Sequence, residues 1–315
     1  MEKAIYIIGA GAIGKTLAVF LKLKGRNVIL IRGSVDQGVS TYEKIKIEFP
    51  DQLTLEATIE VTSFSQLSLL DGIVVLTTKS FGNESLAKTL YPKISKSPLV
   101  VMQNGLEVEQ PFLQQGFPEV YRCVLFATSQ SISESIIRYK PVAVSQIGVI
   151  RGNDIQLHEI VSQLENDHFK FAASPNIQSI IWKKAIANSV FNSVCPLLEI
   201  DNGLFHRNDK AKEIATRIIK ECVSIATEVG VTLEVEDVMN SLLMISKNSD
   251  GQLISTLQDM KMKRRTEIET LNFSIVNIAR QLNKESWVTE TKLLGELTKL
   301  KSDLTLTENP PKQKV

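Results

Sequence analysis

Lys184, Asn188 and Asn192 stand four residues apart within the stretch 182–192. On a helix that spacing stacks side chains on one face, about 6 Å further along the axis at each step. One ammonium and two carboxamides would then form a polar column. An ammonium so placed can stabilise negative charge developing on an oxygen and hand that oxygen a proton. Carboxamides can orient a polar substrate without adding charge. A solvated helix face would read the same in isolation. Two observations weigh against it. Ile177, Ile180, Ile181, Ala185, Val190 and Val194 are apolar, and asparagine is a poor choice for helix interiors. Lys183 is the rival lysine, but it lies about a hundred degrees off the column.

The helix carrying this column is predicted over about 176–195. Ser174 is its expected N-cap, Pro175 its first helical residue and Pro196 its end. Further helices are predicted over 208–229, 236–247, 264–283 and 287–301, and Gly230 gives a C-terminal signal for the first of these. On the helix expected from Arg264, Ile268, Leu271, Ile275, Ile278 and Leu282 form an apolar stripe. Glu267 sits at its edge; taken alone, it reads as a surface carboxylate pairing with a nearby arginine.

Before Ser174 the pattern differs. Ala4–Ile8 is a short run of β-formers without alternation, as in a strand buried on both faces of a parallel sheet. Gly9-Ala10-Gly11-Ala12-Ile13-Gly14 follows, then a helical stretch closed by Gly25. Strand, G-x-G-x-x-G and helix make the dinucleotide fingerprint. Gly9 would form the tight turn, Gly11 would admit a pyrophosphate, and Gly14 would let helix and strand approach. The helix N-terminus would supply N–H groups to the phosphates. FAD and S-adenosylmethionine sites share variants of this loop. The next strand, 27–31, ends in Arg32-Gly33-Ser34, where an NAD site carries an acid. A guanidinium suits a 2′-phosphate and a carboxylate opposes one, so NADP(H) is the expected cofactor.

Strands are expected at 72–77, 99–102, 124–128, 136–139, 142–149 and 169–172, with a hairpin over 44–62 and a helix over 155–164. Lys79 and Asn104 follow strand ends, where open α/β sheets hold ligands. Alternatively, Lys79 is a solvated loop lysine and Asn104-Gly105 only a turn. The expected fold is an α/β Rossmann-like N-terminal domain, 1–173, and an all-α C-terminal domain, 174–305. The tail 306–315, with Pro310-Pro311 and lysines, is expected to be mobile.

The totals exclude several classes. The chain has 315 residues, 43% hydrophobic and 23% charged, with a net charge of +1 from 36 Lys+Arg and 35 Asp+Glu. That balance gives no electrostatic case for nucleic acid or an anionic membrane. No apolar run is long enough to span a bilayer, and glycines interrupt the N-terminal apolar run, unlike a signal peptide. Cys123, Cys195 and Cys222 are scattered, as are His158, His168 and His206. No metal spacing results, and a cytoplasmic protein with reduced thiols is expected.

Taken together, the chain resembles the ketopantoate reductase (2-dehydropantoate 2-reductase) family over roughly 4–300. The resemblance is carried by the glycine loop, Arg32, Thr78-Lys79, Gln103-Asn104-Gly105, the 182–192 stretch, Asn202-Gly203, Ser255 with Leu257-Gln258-Asp259, and Arg265-Thr266-Glu267. It implies NADPH-dependent reduction of 2-dehydropantoate to pantoate, a step toward coenzyme A. By motif position, Lys184 resembles the family's catalytic proton donor, and Glu267 the acid near substrate hydroxyl and cofactor. Asn104, Asn188, Asn192, Asn202 and Ser255 match positions that hold the substrate or the nicotinamide end. Arg32 and Lys79 match residues near the 2′-phosphate. Two regions depart from the pattern: 127–139, and Ser145-Gln146 where relatives often carry a histidine. Another 2-oxo acid is therefore an alternative substrate. A non-catalytic NADP-binding regulator would need neither Lys184 nor the asparagines. The expected partner is the small 2-oxo acid, and the chain is expected to be a monomer or homodimer.

Overall fold

The computed structural model describes residues 3–33 and 38–307. Ser34 and 308–315, most of the expected mobile tail, lie outside the described residues. Leu306 and Thr307 end the last helix.

Eleven strands form one sheet among the described residues. In chain order they are β1 (Ala4–Ile8), β2 (Val28–Arg32), β3 (Thr41–Glu48), β4 (Thr54–Ser63), β5 (Gly72–Leu76), β6 (Leu99–Val101), β7 (Val120–Val124), β8 (Ala127–Ser131), β9 (Ile136–Pro141), β10 (Ser145–Arg151) and β11 (Phe171–Ala173). The order across the sheet is β11-β10-β7-β6-β5-β1-β2-β4-β3-β9-β8. The central strands β7, β6, β5, β1, β2 and β4 pair in parallel. Their apolar runs are buried on both faces, as the lack of alternation predicts. β3 pairs antiparallel with β4 as the expected hairpin. Helices α1 (Ala12–Leu23), α2 (Asn83–Leu90), α3 (Gln110–Gln114) and α4 (Asp154–Leu164) accompany the sheet.

The expected strand 124–128 is two strands. β7 ends at Val124 and β8 starts at Ala127, at the far end of the sheet. Phe126 makes the break: its N–H donates to Ser145 Oγ, and its carbonyl accepts from Val142 and Ala143. The same bonds delay the strand expected from Val142 until Ser145.

The chain divides into two compact units: Met1–Gln103 with Val108–Ile177, and Asn104–Glu107 with Gln178–Val315. The second is helical: α5 (Ile177–Leu198), α6 (Leu204–Arg207), α7 (Asp209–Glu228), α8 (Val235–Asn248), α9 (Ser255–Lys261), α10 (Asn272–Gln281) and α11 (Thr289–Thr307). Its buried side chains include Ile186, Val190 and Phe191 of α5, Ile218 and Ile219 of α7, and Ile275 and Val276 of α10.

Three helix expectations need correction. α5 starts at Ile177 and not beside Ser174, because the Ser174 N–H still donates to Ile147 of the sheet. α5 also continues through Pro196 to Leu198. A proline costs an interior helix about 3 kcal/mol, but Lys301 Nζ donates to the Pro196 carbonyl, and Phe191 packs edge-on against Phe205. The helix expected from Arg264 begins only at Asn272. Lys263 adopts φ 52°, and Arg264 turns back onto Asp259 through backbone and guanidinium. Glu267 therefore lies in a turn. No helix of the described residues is long and apolar enough to cross a membrane.

Candidate active site

The glycine loop joins β1 to α1 in the first unit. Gly9 has φ 121°, and its carbonyl accepts from Thr77 Oγ1 at 2.9 Å. A Cβ on Gly14 would run into the Gly9 carbonyl, so helix and loop meet as closely as they do only with glycine there. Above Gly11 a Cβ would meet nothing within 4 Å. Gly11 is also the N-cap of α1, with no side-chain cap and no acid in the first turn. The orphan N–H groups of the helix start are thus left for an anion. Ala10, Ala12 and Ile13 flank this opening, half-buried. The loop fits a dinucleotide pyrophosphate.

Arg32 ends β2 and reaches across β4 to β3. Its Nη2 donates to Thr41 Oγ1 at 3.1 Å and pairs with Glu43 Oε1 at 2.7 Å. Its Nη1 is buried and has no hydrogen-bond partner among the described residues. Lys79 follows β5 and is exposed. Behind it, Gln103 Nε2 donates to Thr78 Oγ1 at 3.1 Å, and Gln103 and Asn83 exchange side-chain hydrogen bonds. Arg122, buried in β7, donates to the Gln103 carbonyl and pairs with buried Glu109. This network fixes the ends of β5 and β6. Sequence reasoning missed it, although an arginine inside the apolar run of β7 was a signal.

In the second unit, α5 places Lys184 and Asn188 half-buried and Asn192 buried. Asn192, only 2% exposed, uses both ends of its carboxamide. Nδ2 donates to the Asn188 carbonyl at 2.9 Å. Oδ1 accepts from Ser255 Oγ and from the Thr256 N–H, each at 3.2 Å. Asn192 thereby caps the first turn of α9 and holds Ser255, itself exposed.

Asn202 follows α5. Its backbone is fixed by Gln252 and by Ser246 Oγ, which donates to its carbonyl at 2.6 Å. Its Oδ1 is buried without a hydrogen-bond partner among the described residues. Asp201 braces this corner, accepting from Gly203 N at 2.7 Å, Gly251 N at 3.2 Å and Arg207 Nη2 at 2.6 Å. The Arg207 hydrogen bond leads in holding the Asp201 carboxyl down to about 2.

Glu267 is half-buried, and its carbonyl accepts from the N–H and Oγ1 of Thr270. The Thr270 carbonyl accepts from Leu106 N at 3.0 Å. Gly105, at φ 102°, presses against Thr270 where any Cβ would collide. The Asn104 loop and the Glu267 turn are thus joined through their backbones. Among the described residues no group of three or more His, Cys, Asp or Glu could hold a metal ion.

Comparison with known proteins agrees over most of the chain. The family described as "Ketopantoate reductase PanE/ApbA" matches residues 5–151, and its "C terminal" part matches 176–300. A 2-dehydropantoate 2-reductase of Pyrococcus abyssi is 27% identical over 285 residues, 90% of this chain and 93% of that one. A PanE/ApbA family ketopantoate reductase from Ralstonia eutropha superposes with a TM-score of 0.80 at 23% identity, covering 96% of this chain and 99% of that one. A D-mandelate dehydrogenase solved with NADH and anilino(oxo)acetate gives a TM-score of 0.82 at 20% identity, again covering 96% and 99%.

Proposed function

We propose that this chain, which belongs to the ketopantoate reductase family, reduces a 2-oxo acid with NADPH, and that its substrate is 2-dehydropantoate, yielding pantoate for pantothenate and coenzyme A synthesis. Family membership makes it an oxidoreductase of 2-oxo acids. The observation that carries the finer reading is the face of α5, where Lys184 and Asn188 stand above Asn192, which grips Ser255. A bound nicotinamide would supply hydride to the substrate carbonyl carbon. Lys184 then meets the charge that appears on the carbonyl oxygen and gives it a proton. Glu267 orients Lys184 or the substrate hydroxyl and is assigned to the cofactor as well. Asn104, Asn188, Asn202 and Ser255 hold the substrate or the nicotinamide end. Asn192 serves the substrate by keeping Ser255 in place.

The loop of Gly9, Ala10, Gly11, Ala12, Ile13 and Gly14 would hold the pyrophosphate, with Arg32 and Lys79 toward a 2′-phosphate. The Nη1 of Arg32, without a hydrogen-bond partner among the described residues, supports that assignment. We read 1–173 as the cofactor domain and 174–305 as the substrate domain of a cytoplasmic monomer or homodimer. Neither nucleic acid nor membrane is a partner in this reading.

A second reading is a reductase of another 2-oxo acid, favoured by the likeness to a D-mandelate dehydrogenase. Oxidation of NADPH and of NADH, followed with 2-dehydropantoate and a panel of branched and aromatic 2-oxo acids, separates these readings. Turnover with 2-dehydropantoate well above the others supports the first. Turnover with none of them leaves only a binding role.

A further inference from the structure

The sequence lacks an acid at the end of β2, but the fold brings one there from β3. β2 pairs in parallel with β4, setting Arg32 beside Ser63. β4 pairs antiparallel with β3, setting Val61 beside Thr41 and Ile59 beside Glu43. Side chains alternate along a strand, so Arg32, Val61, Ile59, Thr41 and Glu43 share one face. Leu30, Val61 and Ile59 on that face share a buried cluster with Leu17 and Phe20 of α1.

Lys15, in the first turn of α1, meets the same carboxylate. Its Nζ is 3.4 Å from Glu43 Oε2 and donates to the Glu134 carbonyl at 2.6 Å. Lys15, Arg32 and Glu43 side chains are 12%, 19% and 31% exposed, so solvent screens their charges only in part. Two cations and one anion therefore gather at the N-terminus of α1 and the C-terminal end of β2. In a Rossmann fold that is the place of the adenosine ribose.

We infer that Glu43 is a cofactor-specificity residue: its carboxylate shares Arg32 with any 2′-phosphate and repels that phosphate, so it narrows the preference for NADPH over NADH. The inference rests on the dinucleotide reading of the glycine loop. A phosphate monoester brings close to two negative charges and must compete with Glu43 for the same guanidinium. A ribose 2′-hydroxyl is neutral and can donate to a carboxylate. The acid thus penalises one cofactor and accommodates the other.

The test uses binding to the full chain, with no turnover. Adenosine 2′,5′-bisphosphate and AMP are titrated calorimetrically into the wild type, Glu43→Gln and Arg32→Gln. The affinity ratio of bisphosphate to AMP should rise about tenfold in Glu43→Gln, the change expected from removing one partly screened unit charge a few ångströms from the phosphate. It should fall in Arg32→Gln. Should the glutamine variant not fold, Glu43→Thr puts a neutral strand former at the same place and should move the ratio the same way.

A ratio that stays level or falls in the neutral variants overturns the inference, because Glu43 would then only steady Arg32. If both nucleotides bind the wild type and the ratio ignores Glu43, the dinucleotide reading stands and this one fails. If neither nucleotide binds the wild type, the dinucleotide reading fails first and this one with it.

Discussion

At the scale of single residues, the work divides between side chains that could meet a substrate and side chains that hold them. Lys184 belongs to the first group. Lys184→Ala should lower turnover about 10²–10⁴-fold, the usual worth of a positioned acid, while calorimetric binding of the dinucleotide persists. Unchanged turnover would refute its role as acid. Asn192 belongs to the second group. Asn192→Ala leaves the buried Thr256 N–H without its acceptor, which costs about 1–3 kcal/mol. Its urea midpoint should fall accordingly, and KM should rise as Ser255 loses its tether. Ser255→Ala should raise KM with little loss of stability, because Ser255 is exposed. The polar column was legible because helical periodicity is local. The use of Asn192 was not: Ser255 stands 63 residues further along the chain.

Elements show the same limit. β1, the glycine loop and α1 were readable because strand, turn and helix are contiguous there. The turn at Glu267 was hidden by an apolar stripe that keeps helical spacing from Ile268 to Ile278. Hydrogen bonds from Leu106 to Thr270 and from Thr266 to Ser302 engage that stretch with distant segments instead. The corner of Asp201, Asn202 and Gly203 is a further case, and it makes a prediction about pH. Asp201 has a folded-state pKa of about 2, below the ordinary 3.8. A depressed carboxyl stabilises the fold fully above its unfolded value, and that contribution is lost as pH falls through the folded one. The brace on Asn202 should therefore be intact at neutral pH and fail between about pH 4 and pH 2. Asp201→Asn should be less stable than the wild type in urea at pH 7. It should lose less midpoint between pH 7 and pH 2.5, since it has no carboxyl to titrate there. Equal losses in the two proteins would show that Arg207 does not hold the corner through charge.

Across the whole molecule, each unit has its own core, and the cysteines report on both. Cys123 lies in β7 of the first unit; Cys195 and Cys222 lie in α5 and α7 of the second. All three are buried and none is in a disulfide. The thiolate is the reactive form, and burial pushes Cys195 and Cys222 up to about 12. At pH 8 a thiol with such a pKa is ionised to only about one part in 10⁴. Access and ionisation therefore act in the same direction. Ellman's reagent added to the native protein at pH 8 should release almost no colour over minutes, and the same protein in guanidinium should release three equivalents per chain. Rapid modification of one thiol under native conditions would mean that the core around it opens on that timescale. Assigning the modified cysteine by mass spectrometry would tell which unit had opened. Slow modification of all three would agree with thiols that serve packing.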